Sequence, residues 1–274
     1  MNTEKIVRND GRAPNQLRSV SFSYDIYEFA PGSLLFQMGK TKILCAVSLQ
    51  NGVPQFLRGK GTGWLTAEYA LLPTSTVTRT QRESTLARKD GRSIEIARFI
   101  GRCFRSIIDL SAIGERTITI DCDVLQADGG TRTAAITGSF LALKMAQDRW
   151  LRSRTINQSI ITESIAAISV GVVNDNVLLD LNYEEDSKAN ADFNFVITQS
   201  NKIVEMQGGA ESSPISWNTF EDVRCMANYG AQQLFALYEL KSHNQQEMTL
   251  ADGSHKSSER IPLFSLKNRQ KSSQ

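Results

Sequence analysis

The stretch TITIDCDVLQADGGTRTAAITG, residues 117–138, decides how the chain is read. From 117 to 126 it alternates strictly. Ile118, Ile120, Cys122 and Val124 share one face, which predicts a strand with one buried side. Asp128-Gly129-Gly130-Thr131 ends that strand, and a run rich in Ala, Leu and Met predicts a helix through Trp150. A helix start exposes free N–H groups and the positive end of the helix dipole. Glycines let the backbone wrap an anion, a hydroxyl adds a donor and an arginine adds a bidentate fork. Gly130, Thr131 and Arg132 are therefore candidate phosphate-binding residues. The plainer alternative is a capped helix start with a solvated arginine.

On the N-terminal side, residues 18–50 read as strands joined by short turns at Pro31-Gly32 and Gly39-Lys40. The glycine-rich RGKGTG at 58–63 is followed by Trp64-Leu65-Thr66-Ala67-Glu68-Tyr69, a strand pattern. A nucleotide-binding loop needs a helix there, so 58–63 is read as a connector. Residues 74–91 lack periodicity and predict a long polar loop. It holds Arg79, Arg82, Arg88 and Lys89, followed by Arg92. Such a basic set suits an RNA backbone, or else salt bridges to Glu83, Asp90 and Glu95. Residues 92–113 carry Ile96, Phe99, Ile100, Cys103, Phe104, Ile107 and Ile108 at helical spacing, which predicts a helix over that range. Arg98, Arg102 and Arg105 share its other face, where a structural or subunit-interface role is expected.

On the C-terminal side, 165–206 reads as two hairpins, turned at Asn174-Asp175-Asn176 and Ser200-Asn201. Between them lies an acidic loop with Asp180, Glu184, Glu185, Asp186 and Asp192. Convergent carboxylates hold Mg²⁺, which keeps several waters and bridges to phosphate. The alternative is a solvated acidic turn. A last helix is expected from Trp217 to Tyr238, and a polar tail from Ser242 is expected to be disordered. The order strands–helix–strand–helix–strands–helix gives an α+β class, with residues 1–241 as one domain and 242–274 as the tail.

Composition narrows the chemistry. Only two histidines exist, His243 and His255, both in the polar C-terminal stretch, so a histidine-based nucleophile system or metal site has no histidine in the folded body. Cys45, Cys103, Cys122 and Cys225 are widely spaced and read as buried free thiols. No run approaches the roughly 20 apolar residues of a membrane helix, and no secretory signal opens the chain, so a cytoplasmic setting without membrane contact is expected. The net charge is +2. Residues 255–274 carry Lys256, Arg260, Lys267, Arg269 and Lys271 against Glu259 alone, so the remainder is net acidic. RNA would need a local basic patch on that body.

With these residues in view, the chain resembles the ribonuclease PH family of phosphorolytic exoribonucleases. The matching stretches include RNDGRAPNQLR at 8–18, GKTKILCAVS at 39–48 and VPQFLRGKGTGWLTAEYALLP at 53–73. They continue with RTQRES at 79–84, GRSIEIARFIGR at 91–102 and GERTITIDCDVLQADGGTRTAAITG at 114–138. LLDLNYEEDS at 178–187 and VEMQGGAE at 204–211 complete the series. The resemblance covers about residues 6–240.

The resemblance implies a duplicated βαβα-type fold, a homo-hexamer built as a trimer of dimers, and removal of 3′-terminal nucleotides from tRNA precursors and other RNA. Inorganic phosphate would be the co-substrate, nucleoside 5′-diphosphates the products, and the reaction reversible. Phosphate would be held by Arg132, Thr131, the backbone at Gly130, and Arg92. Mg²⁺ and the acid function would fall to Asp186 and Asp192, and RNA guidance to Arg79 and Arg82. Thr74 stands where the family usually has an arginine, and Asn190 where it often has an acid. Three rival readings are a non-catalytic RNA-binding ring subunit, which the presence of GGTRT, Arg92, Asp186 and Asp192 disfavours, a polynucleotide phosphorylase-like degrader, for whose two core repeats the chain is too short, and a hydrolytic two-metal ribonuclease, which phosphate dependence separates.

Overall fold

A computed structural model of the chain describes residues 8–85 and 90–251. The chain divides into two compact units, residues 1–235 and residues 236–274. The second contains the end of the last helix. Its remaining residues, 252–274, lie outside the described residues.

The first unit is built on two sheets. Strands β1 (Val20–Tyr24), β2 (Gly32–Met38), β3 (Thr41–Asn51), β4 (Trp64–Leu71) and β5 (Arg116–Gln126) form one, in the order β1-β2-β3-β5-β4. Only β4 and β5 run parallel, because helix α1 (Gly91–Arg105) provides the crossover between them. Strands β6 (Ile165–Val173), β7 (Asn176–Leu179), β8 (Ala191–Thr198) and β9 (Ile203–Ala210) form the other, in the order β7-β6-β8-β9, all antiparallel.

Helix α2 (Thr131–Arg152) packs on β2, β3 and β5 of the first sheet and on β6 and β8 of the second. A helix covered by two sheets must be apolar or small on nearly every face. Ala134, Ala135, Ile136, Thr137, Gly138, Phe140, Ala142, Leu143 and Ala146 are accordingly buried. The alternation in β5 falls as predicted, with Ile118, Ile120, Cys122 and Val124 buried against this core. Both hairpins form at the expected turns, and 58–63 connects to a strand.

Four expectations are corrected. Helix α1 ends at Arg105, eight residues before the predicted end. Ile107 and Ile108 are buried in a different way: the backbone at 107–109 pairs with 160–162, through Asp109 N–H to Ile160 O at 2.8 Å and Thr162 N–H to Ile107 O at 2.9 Å. Tertiary pairing there overrides helical periodicity. The acidic loop contains a single helical turn, α3 (Tyr183–Asp186), closed by a capping box between Asn182 and Glu185. The last helix, α4 (Trp217–Ala251), continues past Tyr238 and through residues 242–251. Finally, Cys45, Cys103 and Cys122 are buried free thiols, but Cys225 is exposed.

Candidate functional site

The junction of β5 and α2 is shaped by two left-handed glycines, Gly129 at φ +73° and Gly130 at φ +61°. Both conformations are costly for residues with a Cβ. At Gly129 space is also lacking, since a Cβ would lie 2.5 Å from the Leu181 carbonyl oxygen. The turn is held from outside. Thr41 Oγ1 accepts from the Asp128 N–H at 3.0 Å and donates to the Gly129 carbonyl at 2.8 Å. Arg18 donates to the carbonyls of Asp128 and Gly129.

These constraints deliver Thr131 and Arg132 to the first turn of α2. The buried Tyr69 hydroxyl donates to Thr131 Oγ1 at 2.9 Å. Burial pushes that phenol up to about 12, against the opposing effects of the Thr131 bond and the Arg92 and Arg132 charges, so it stays protonated. Thr131 therefore accepts from Tyr69 and keeps its own hydroxyl proton for another acceptor. Arg132 donates from Nη1 to Gln207 Oε1 at 2.9 Å and stands 3.8 Å from Glu95 Oε1.

Arg92 lies in the first turn of α1, exposed. It belongs to the same electrostatic neighbourhood as Arg132, Asp186 and Asp192. Although Asp186 reaches solvent at the end of α3, surrounding protein raises its carboxyl above the ordinary value, and the Asp192 charge raises it further. Arg92 and Arg132 act in the opposite direction. Asp192 is the second residue of β8, opposite Gly171 and Gly209, with Asn194 Nδ2 3.5 Å from its Oδ2. The charges of Arg92, Arg132 and Asp192 thus all act on the Asp186 carboxyl.

The five-acid cluster does not act as one group. Asp180 is buried against Arg18 and Arg12, and Glu185 against Arg8, with Nε to Oε1 at 2.7 Å and Nη2 to Oε2 at 2.6 Å. Glu184 pairs on the surface with Lys188 at 3.0 Å. Neither Asp186 nor Asp192 belongs to these buried arginine pairs. Among the described residues, no group of three or more His, Cys, Asp or Glu side chains is arranged to hold a metal. Mg²⁺ is usually held by one or two carboxylates, with water and substrate phosphate completing its shell. Asp186 and Asp192, whose like charges already interact, fit that donor set.

Arg79 and Arg82 are exposed in the loop after β4. Arg88 and Lys89 lie outside the described residues. Arg102 forms an ion pair with Glu205, and Arg105 donates to the Leu65 carbonyl at 3.0 Å and sits 4.6 Å over the Trp64 ring. Both fit the structural role expected of that face. Asn190 is occupied structurally, accepting from Asn174 N–H and donating to Ser212 Oγ.

Arg8, Arg12 and Arg18, which frame the site, were missed by sequence reasoning. So were Tyr69 and Gln207, the partners of Thr131 and Arg132. The capping pair Asn182 and Glu185 carries a legible signal, a capping residue three positions before a glutamate.

Models described as the 3′ exoribonuclease family, domain 1 and domain 2, match residues 16–147 and 163–227. The chain belongs to the 3′ exoribonuclease family. A ribonuclease PH of Dehalococcoides mccartyi strain BAV1 is 47% identical over 228 residues, 83% of this chain and 95% of that protein. The ribonuclease PH of strain 195 of the same species is 48% identical over the same coverage. Among solved structures, the Archaeoglobus fulgidus exosome with RNA bound to the active site matches at a TM-score of 0.71 and 21% identity, covering 84% of this chain and 92% of that one. That likeness shows the fold. The activity is that of a phosphorolytic 3′-to-5′ exoribonuclease of the ribonuclease PH kind, with inorganic phosphate as co-substrate.

Proposed function

We propose that the enzyme trims tRNA precursors and other RNA 3′ ends, with phosphate held by Thr131, Arg132, Arg92 and the Gly130 backbone at the start of α2. The observation that carries this reading is the pair of left-handed glycines placing Thr131 and Arg132 at a helix N-terminus, beside two carboxylates. A bound phosphate meets backbone N–H groups, a threonine proton and two guanidinium forks there.

An oxygen of that phosphate attacks the terminal phosphodiester phosphorus. A new P–O bond forms, the bond to the 3′-oxygen of the penultimate nucleotide breaks, and that oxygen takes a proton. The products are a nucleoside 5′-diphosphate and RNA shorter by one nucleotide. Arg132 and Arg92 offset the repulsion between the attacking and scissile phosphates. The reverse reaction passes through the same transition state. Asp186 and Asp192 would hold Mg²⁺, which supplies charge neutralisation at the transferred phosphoryl group. The surroundings of Asp186 favour a proton on its carboxyl. Arg79 and Arg82, exposed on the loop after β4, guide the RNA backbone.

The same reading takes the assembly as a homo-hexamer, a trimer of dimers, in the cytoplasm. No helix among the described residues is long and apolar enough to cross a membrane. Sedimentation of the purified enzyme tests the hexamer.

The deciding experiment incubates the enzyme with a 3′-extended tRNA and Mg²⁺, with and without inorganic phosphate. Diphosphates appearing only with phosphate are expected. Monophosphates formed without phosphate would overturn the mechanism.

A further inference from the structure

Arg132 has two competing neighbours. Gln207 Oε1 accepts from its Nη1 at 2.9 Å, while the Glu95 carboxylate on α1 stands 3.8 Å from the same nitrogen. One neighbour is neutral and the other is charged. An arginine paired closely with a carboxylate is neutralised and offers less to an incoming anion. An arginine held by an amide oxygen is fixed in place and keeps its full charge.

The orientation of the Gln207 amide is set by what lies on each side of it. Glu205, two residues earlier on β9, accepts from Gln207 Nε2 at 3.5 Å. Glu205 is itself anchored by Arg102 of α1. An ionised carboxylate only accepts and a guanidinium only donates, so the amide must face its NH₂ to Glu205 and its oxygen to Arg132. Arg102, Glu205, Gln207 and Arg132 therefore form one directed chain from the outside of α1 to the first turn of α2. The neighbouring amide in the strand register, Asn194 on β8, leans towards Asp192 instead.

We propose that Gln207 is a positioning residue for the phosphate co-substrate: it holds the Arg132 guanidinium away from Glu95 without neutralising it. The inference rests on the reading that Arg132 binds phosphate. Its own content is that a neutral acceptor is required at 207. Gln207→Met removes the acceptor at nearly constant size, and Arg132 then turns to Glu95. Gln207→Glu keeps both the shape and an acceptor but adds a charge that competes with phosphate.

The test is steady-state phosphorolysis of a 3′-extended tRNA with Mg²⁺, varying inorganic phosphate for the wild type, Arg132→Ala, Gln207→Met, Gln207→Glu and Gln207→Met/Glu95→Gln. Gln207→Met should raise the KM for phosphate about tenfold, with kcat at saturating phosphate and the KM for RNA changed by less than about twofold. Gln207→Glu should raise the phosphate KM further still. Replacing Glu95 in the Gln207→Met background should recover much of the loss. If Arg132→Ala leaves the phosphate KM unchanged, the underlying phosphate site is wrong. If Arg132→Ala raises it strongly but both Gln207 variants stay near wild type, the inference about Gln207 fails. It also fails if Gln207→Glu behaves as wild type while Gln207→Met does not, because Gln207 would then be a spacer of the right shape.

Discussion

Arg18 and Asp180 form a bidentate ion pair, Nη2 to Oδ1 at 2.7 Å and Nε to Oδ2 at 3.0 Å, while the same guanidinium donates to the carbonyls of Asp128 and Gly129. Both side chains are nearly fully buried. The pair thus ties the loop after β7 to the turn that opens α2. Removing one member leaves the other charge buried and unpaired, which costs about 3–5 kcal/mol. Asp180→Ala should lower unfolding stability by that amount, read as a shift in the urea midpoint with little change in slope. A midpoint within error of wild type would show that the Asp128 and Glu185 carboxylates compensate for the lost partner of Arg18.

Gly129 tests the turn itself. Its φ of +73°, and a Leu181 carbonyl oxygen that would stand 2.5 Å from any Cβ, leave no room for a side chain. Gly129→Ala must either strain the backbone or push the 181–183 segment outward. A cost of about 1–3 kcal/mol is expected, with a rise in the phosphate KM because Thr131 and Arg132 shift with the turn. Equilibrium unfolding and phosphate titration read the two effects separately.

The parts of this site that were legible in the sequence are local ones. Strict alternation over 117–126 marks a strand, and the following Gly129-Gly130-Thr131-Arg132 needs no distant partner to be read as an anion turn. The frame was not legible, because its partners are far apart in sequence: Arg18 and Asp180 are separated by 162 positions, Arg8 and Glu185 by 177. The acidic run shows the same limit. Composition marks five acids as one cluster, yet burial ties Asp180 and Glu185 to arginines and leaves Asp186 and Asp192 outside those pairs. Helix α1 was overextended because Ile107 and Ile108 satisfy helical spacing while being buried through pairing with 160–162. Gln207 had no signal of its own, since its role appears only once β9 is placed beside the first turn of α2.

Glu163 gives a pH dependence. Bonds from Lys202 and Ser200, at 2.8 Å and 2.6 Å, hold its carboxyl down at about 2, below the ordinary 4.5. A carboxyl depressed in the folded state stabilises the fold above its unfolded value, and the contribution is lost as pH falls through the folded one. The stability difference between wild type and Glu163→Gln should therefore be largest above pH 4.5 and shrink towards pH 2. Because the pair is open to solvent, the difference is small and should fall with added salt. Urea midpoints at neutral and acidic pH, at low and high ionic strength, check it. A difference that grows on acidification would contradict the assignment.

Asp192→Asn separates a catalytic carboxylate from a mere aid to metal affinity. Asp192 lies in β8 between Gly171 and Gly209, so the isosteric amide should leave the strand pairing intact. It removes one of the two carboxylates proposed for Mg²⁺ and relieves the repulsion that helps to raise Asp186. Phosphorolysis should fall on the order of 10²–10⁴-fold at every practical Mg²⁺ concentration. The unfolding midpoint should stay near wild type, since no buried partner loses its charge. The measurement is a Mg²⁺ titration of initial rate at saturating phosphate and RNA. If high Mg²⁺ restored full activity, Asp192 would act only by strengthening metal binding, and the essential carboxylate would be Asp186.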